Sequence, residues 1–163
     1  MRKPRLYLET SVWNFVFADD ALEKKNITLK FFETIKRGDY KIFISDIVIQ
    51  EIERADNNKR YLLQNIIDEY NPEVLPINEE VIELAEKYVS EGVLSTDSIA
   101  DATHAAIATV YELDALISWN LKHLANLRRM EMIKRNKYEI WILQKAGVSN
   151  SNGGFLWRSM INL

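Results

Sequence analysis

The chain has 163 residues, a formal net charge of −3 and 47% hydrophobic residues, enough for one well-buried core but short for two. Its 28% of charged residues and its few glycines and prolines argue against extensive disorder. The absence of cysteine excludes a disulfide scaffold and a cysteine–zinc site, and no apolar run approaches the length of a signal peptide or a membrane span, so we expect one soluble cytoplasmic domain.

Five short apolar runs are typical of β-strands, and helical patterns separate them. The strands are predicted at 6–8, 40–44, 73–77, 115–119 and 138–143. Pro76 favours an edge position for the third strand. The recurring order of strand and helix predicts right-handed crossovers and a mostly parallel sheet of about five strands, covered on both faces, in an α/β fold.

The helical patterns begin after a polar turn at Glu9, Thr10 and Ser11. They are predicted from Val12 onward and at 20–37, 47–52, 61–70, 78–89, 97–112 and 121–135, with a solvated helix end or loop at 53–60. Asn78 is expected to cap its helix. We assign residues 1–145 to the domain and 146–163 to a glycine-rich flexible linker followed by an apolar tail.

Residues 97–123 carry the clearest polar pattern in the chain. At about 100° per residue, Asp97, Asp101 and His104 lie on one stripe of an alanine-rich helix. The strand that follows ends at Ser118, Trp119 and Asn120. Small alanines allow a close approach to this stripe, which is therefore a candidate wall of a site.

Parallel strands place their carboxyl ends at one edge of the sheet, where ligands bind in open α/β folds. That edge would gather Glu9, Glu51, Asp101 and Asn120, with Asp97 one turn from Asp101. Several carboxylates in one place repel each other unless a cation lies between them. Mg²⁺ and Mn²⁺ prefer oxygen ligands, so the pattern indicates a divalent metal site.

These blocks together resemble PIN domains, as in VapC-like toxins. The resemblance rests on four segments in the same order over roughly residues 5–143, namely Glu9-Thr10-Ser11, Glu51 after Ile44-Ser45, Asp101-Ala102 with the alanines that follow, and Ser118-Trp119-Asn120. It implies a three-layer α/β/α domain that hydrolyses RNA with Mg²⁺ or Mn²⁺. An antitoxin protein is the implied partner, and a homodimer is a further candidate assembly.

Carried over residue by residue, the resemblance makes Glu9, Glu51 and Asp101 catalytic metal ligands, directly or through water, with Asp97 as a further candidate ligand. Asn120 takes the place of the fourth acid. The supporting residues are Thr10 and Ser118, whose hydroxyls orient water or phosphate, and His104. Lys122, His123 and Arg128, in the basic stretch 122–137, are the candidate RNA contacts.

Two positions depart from the family pattern. Glu9 is one methylene longer than the usual Asp, and Asn120 keeps an oxygen ligand but loses a charge. A degenerate PIN domain that binds RNA or protein without turnover is therefore the alternative function. A flavodoxin-like phosphoacceptor is a third, although it needs an Asp at the end of the third strand, where the chain has Pro76-Ile77.

Most of the candidate residues also have a purely structural interpretation. Asp97 can interact favourably with the helix dipole, and Glu9 can cap a helix. Glu51 can be a surface acid near Arg54, and Asn120 can be a turn residue. His104 can be a hydrogen-bonded core imidazole, and the basic stretch can be a solvated face.

Overall fold

The computed structural model describes residues 2–91 and 99–120 in full and the backbone of residues 139–142. The strands are β1 (Arg5–Leu8), β2 (Lys41–Ser45), β3 (Glu73–Leu75), β4 (Ala115–Ser118) and β5 (Glu139–Ile142). The helices within these ranges are α1 (Thr10–Phe15), α2 (Leu22–Lys36), α3 (Asp46–Glu53), α4 (Asn57–Tyr70), α5 (Glu79–Ser90) and α6 (Ile99–Val110).

The five strands form one sheet in the order β3-β2-β1-β4-β5, and every described pair is parallel. Successive residues point to opposite faces of a strand, yet β4 is buried throughout and β1 and β2 are buried except at their first residues. Both faces of the sheet are therefore covered by helices. The predicted three-layer α/β/α fold with a parallel sheet is confirmed.

The strand order reverses direction beside β1, which pairs with β2 on one side and with β4 on the other. Such a reversal opens a crevice outside the carboxyl ends of the two diverging strands. The same order excludes the flavodoxin-like alternative, in which β1 lies between β2 and β3. In addition, β3 ends at Leu75 and is followed by Pro76 rather than by an aspartate.

Three helix starts show how well local polar patterns predict structure. The expected polar turn after β1 is wrong, because Glu9 is already the N-cap of α1 and Thr10 its first residue. Segment 53–60, expected to be a solvated helix end or loop, contains the end of α3 but also the start of α4, where Asp56 accepts a hydrogen bond from the Lys59 backbone at 3.0 Å. The Asn78 cap is confirmed by its 2.9 Å bond from the Val81 backbone.

Helix α6 packs against α5 and β4 through buried alanines, which bring its polar stripe close to the strand ends. None of the helices in the described ranges has the length and apolar content needed to cross a membrane. The predictions for residues 92–98, 121–138 and 143–163 lie outside the described residues. These include Asp97, the RNA contacts Lys122, His123 and Arg128, and the linker and tail.

Candidate metal centre

Glu9 is the acid at the end of β1, and its side chain is 5% exposed. One oxygen, Oε2, accepts a 2.8 Å hydrogen bond from the Ser118 hydroxyl and another from the Ser11 hydroxyl. Glu9 occupies the N-cap position of α1, but its carboxylate makes no capping bond. Within residues 2–91 and 99–120 no hydrogen bond engages Oε1, so one oxygen is held and the other is available.

The two hydroxyls that hold Glu9 also accept hydrogen bonds from the backbone just after β4. Ser11 Oγ accepts from the Trp119 backbone N–H at 2.8 Å, and Ser118 Oγ accepts from the Asn120 backbone N–H at 2.8 Å. Each hydroxyl therefore uses its single proton to donate a hydrogen bond to the Glu9 carboxylate. The result is a rigid corner at the point where the strand order reverses.

Glu51 reaches the same place from the second turn of α3, and its side chain is 25% exposed. Its Oε2 accepts a 3.1 Å bond from His104 Nε2 and a short bond from the Thr10 hydroxyl. Arg54 forms no ion pair with Glu51 within 4 Å, although its charge helps to lower the Glu51 pKa, so the hydrogen-bond partners of this carboxylate are His104 and Thr10. Burial by itself would raise the pKa of Glu51, but the His104 and Thr10 contacts outweigh it and lower that pKa.

His104 lies at the centre of a buried chain of hydrogen bonds and is 1% exposed. Its Nδ1 is 2.6 Å from the Tyr7 hydroxyl, which is 2.8 Å from the Ser45 hydroxyl. Burial would lower the pKa of His104, yet the bond to Glu51 and the charges of nearby carboxylates raise it above the ordinary value. Burial raises the pKa of Tyr7 well above its ordinary value, so this hydroxyl stays protonated.

Glu9, Glu51 and His104 each offer one potential ligand atom, and these atoms all lie within 4.8 Å of one another. In the described part of the chain no lysine or arginine forms an ion pair with either carboxylate. Two carboxylates, each with one oxygen free of hydrogen bonds, suit a hard divalent cation. The donor set therefore fits the predicted metal.

Asp101 and Asn120 form a second pair at the same edge of the sheet. Asn120 Nδ2 donates to Asp101 Oδ1 at 3.3 Å, and both side chains are partly exposed. Asp101 is close enough to contribute to the raised pKa of His104, but it is not in the group whose atoms lie within 4.8 Å. The structure thus places it on the rim of the Glu9–Glu51 centre.

The sequence profile of the PIN domain family matches residues 6–126, about three quarters of the chain. The chain belongs to the PIN domain family. No curated protein matches its sequence. Among solved structures, it is similar in fold to a chain in the crystal structure of VapBC2 from Rickettsia felis bound to a DNA fragment from their promoter. That match has a TM-score of 0.57 and 16% identity, and covers 84% of this chain and 98% of the other.

Three residues of this PIN domain's centre were missed from the sequence as contacts of the acids. Ser11 donates to the Glu9 carboxylate, Tyr7 bonds to His104, and Ser45 bonds to the Tyr7 hydroxyl. Ser11 was part of the polar segment after β1, Tyr7 was interpreted as an ordinary strand residue, and Ser45 was a candidate N-cap of α3, the position it occupies. A hydroxyl on a fully buried strand is the one signal that could have marked Tyr7, because such a group needs a partner.

Proposed function

We propose that this PIN domain is an endoribonuclease that uses Mg²⁺ or Mn²⁺ to hydrolyse RNA phosphodiester bonds. The observation that carries the proposal is the pair Glu9 and Glu51, each with one oxygen held by two donors and the other left available. PIN domains are usually nucleases, which supports the same reaction class.

The chain's own residues bind and orient the reacting groups. Glu9 and Glu51 would hold the cation, Asp101 would bind it from the rim directly or through water, and Asn120 fixes one oxygen of Asp101. When bound, the cation supplies a Lewis acid that activates water and offsets the negative charge that grows on the phosphate. Thr10 and Ser118 already donate to the carboxylates, so their role is to set the geometry of the ligands.

The first experiment replaces Asp101 by Asn and compares it with Asp114→Asn, a matched change at the opposite end of the sheet. We expect Asp101→Asn to keep the circular-dichroism spectrum of the wild type and to lose cleavage of a fluorescent RNA in Mn²⁺. Asp114→Asn should cleave at the wild-type rate. The proposal is contradicted if the wild-type protein, once freed of any inhibitor, binds no divalent cation at millimolar concentration.

The same assay separates catalysis from the alternative of a degenerate binding module. A binding module would hold RNA with equal affinity in EDTA and in Mn²⁺ and would show no turnover. The nuclease should instead give products whose formation stops on adding EDTA and resumes on adding excess Mn²⁺.

We further propose that an antitoxin protein controls the activity in the cytoplasm. The similarity to a chain of the VapBC2 complex supports this partner at the level of fold. Co-expression with the product of a neighbouring gene that encodes a small DNA-binding protein is the direct test. An inhibitory complex of stable composition is the expected outcome, and copurification without any loss of RNA cleavage would contradict it.

Contact with RNA is proposed for Lys122, His123 and Arg128. Replacing all three by Ala or Gln should raise KM for RNA and flatten its salt dependence, since each lost phosphate contact reduces the number of counterions released. An unchanged salt slope would indicate that the basic stretch is only a solvated face.

Whether the domain forms a homodimer is answered by the molar mass in solution.

A further inference from the structure

We infer that His104 is a positioning residue that fixes the Glu51 carboxylate for a divalent cation through its Nε2–H, and that Tyr7 and Ser45 fix His104 in turn. The inference rests on the proposed function, because it assigns a role at the same metal centre. It goes further by naming a buried relay that connects β1, β2 and α6 to an acid on α3.

The relay is a continuous row of short contacts in the interior. Ser45 and Tyr7 are both fully buried, with their hydroxyl oxygens 2.8 Å apart, and Tyr7 is 2.6 Å from His104 Nδ1. His104 Nε2 is then 3.1 Å from Glu51 Oε2. The Tyr7 and His104 rings also pack against each other, with centroids 5.7 Å apart at 47°. The imidazole is thus held at both nitrogens and on its face.

The direction of the last hydrogen bond follows from the charge of its acceptor. A carboxylate that holds a cation is ionised and only accepts hydrogen bonds, so in the bond to Glu51 the proton must be on Nε2. A neutral ring accepts from Tyr7 at Nδ1, whereas a protonated ring donates to it, and Tyr7 and Ser45 can reorient for either case. The bond from Nε2–H to Glu51 is the same in both states.

This arrangement makes His104 a support for the ligand and not a ligand itself. Both ring nitrogens already have protein partners, so neither offers a lone pair to a cation while the relay is intact. The relay and Thr10 together occupy Oε2 of Glu51 and leave Oε1 to the cation. Groups that orient a metal ligand in this way typically increase metal affinity about 10–100-fold.

The test is the dissociation constant of Mn²⁺, measured on the full chain without RNA from the paramagnetic resonance signal of the free ion. His104→Leu should weaken binding about tenfold, and Tyr7→Phe at least about threefold. His104→Gln keeps an amide N–H for Glu51 and should stay within about threefold of the wild type. The control Tyr88→Phe removes a buried hydroxyl that bonds to Thr109 at 3.1 Å, and it should not change the constant.

Three results would overturn the inference: a folded His104→Leu with wild-type affinity, a His104→Gln as weak as His104→Leu, or spin-echo modulation from an imidazole nitrogen bonded directly to Mn²⁺. If His104→Leu does not fold, the Tyr7→Phe variant is the test. A wild-type dissociation constant for Mn²⁺ in Tyr7→Phe would then overturn the inference. A wild type that binds no Mn²⁺ rejects the proposed function and the relay together. A wild type that binds Mn²⁺ through the relay but cleaves no RNA rejects the nuclease alone.

Discussion

The acids at the two ends of the sheet have different kinds of side-chain partner. At the amino end, Asp114 accepts bonds of 3.0 and 2.7 Å from the Arg2 guanidinium and one of 2.7 Å from the Arg5 backbone. At the carboxyl end, Glu9 and Glu51 are bound by hydroxyls and an imidazole, and no lysine or arginine in the described ranges pairs with them. The chain thus supplies a cationic side chain for Asp114, whereas in the described ranges its clustered acids have only hydroxyl and imidazole partners.

The largest expected effect is on catalysis. Glu51→Gln removes a charge from the centre and should lower the rate of RNA cleavage in saturating Mn²⁺ at least about a hundredfold. Asp114→Asn, at the other end of the sheet, should leave that rate unchanged. Rates from single-turnover cleavage of a labelled RNA check the comparison, and equal losses in the two variants would remove the distinction between the two ends.

The next effect is on thermal stability in the presence of metal. Mn²⁺ at about a hundred times its dissociation constant should add about 2.7 kcal/mol and raise the wild-type Tm by roughly 5–10 °C. Glu9→Gln should lose most of this increment. Asp114→Asn should start about 1 kcal/mol lower, because its partner Arg2 is largely exposed, but gain the same increment. Thermal melts in EDTA and in Mn²⁺ measure both quantities.

A smaller effect is expected for the hydroxyl that holds Glu9. Ser118→Ala removes the 2.8 Å bond to Glu9 and should weaken Mn²⁺ binding by up to about tenfold, with roughly 1 kcal/mol lost in stability. Thr34→Ala is the matched control, since within the described residues its buried hydroxyl bonds only to backbone carbonyls. It should lose comparable stability and keep the wild-type affinity; a Ser118→Ala variant with unchanged affinity would show that Glu9 needs no support.

The smallest effect concerns pH in the metal-free protein. The raised pKa of His104 means that its contribution to stability is present below 6.5 and is lost as pH rises through the folded value. The lowered pKa of Glu51 means that its contribution is present above 4.5 and is lost as pH falls through the folded value. Urea unfolding in EDTA should show the free energy of unfolding falling at both ends of the pH range. The loss at high pH should be missing in His104→Gln.

The fold was largely predictable from the sequence because periodicity and strand–helix alternation are local signals. The five strands and the parallel order follow from apolar runs separated by helices, and Pro76 correctly marked an edge strand. The start of α4 was missed because Asp56 lies in a segment so polar that its capping role could not be told from that of a loop residue.

The site was predictable only in part. Glu9 and Asn120 could be placed because strand ends share one edge of a parallel sheet, and Glu51 followed from the helix after β2. The contacts of those acids were not predictable, since His104 lies 53 residues from Glu51 and Tyr7 lies 97 residues from His104. Local spacing had put His104 with Asp101 on one stripe, whereas its direct bond goes to another helix.

The most direct test of the metal centre is a crystal structure of the wild-type protein with Mn²⁺, located from its anomalous scattering. We expect one peak bound to Oε1 of Glu9 and Oε1 of Glu51, with both Oε2 atoms still held by their present donors. A protein without a peak at millimolar Mn²⁺, or a peak bound to His104 Nε2 with the relay broken, would contradict this account.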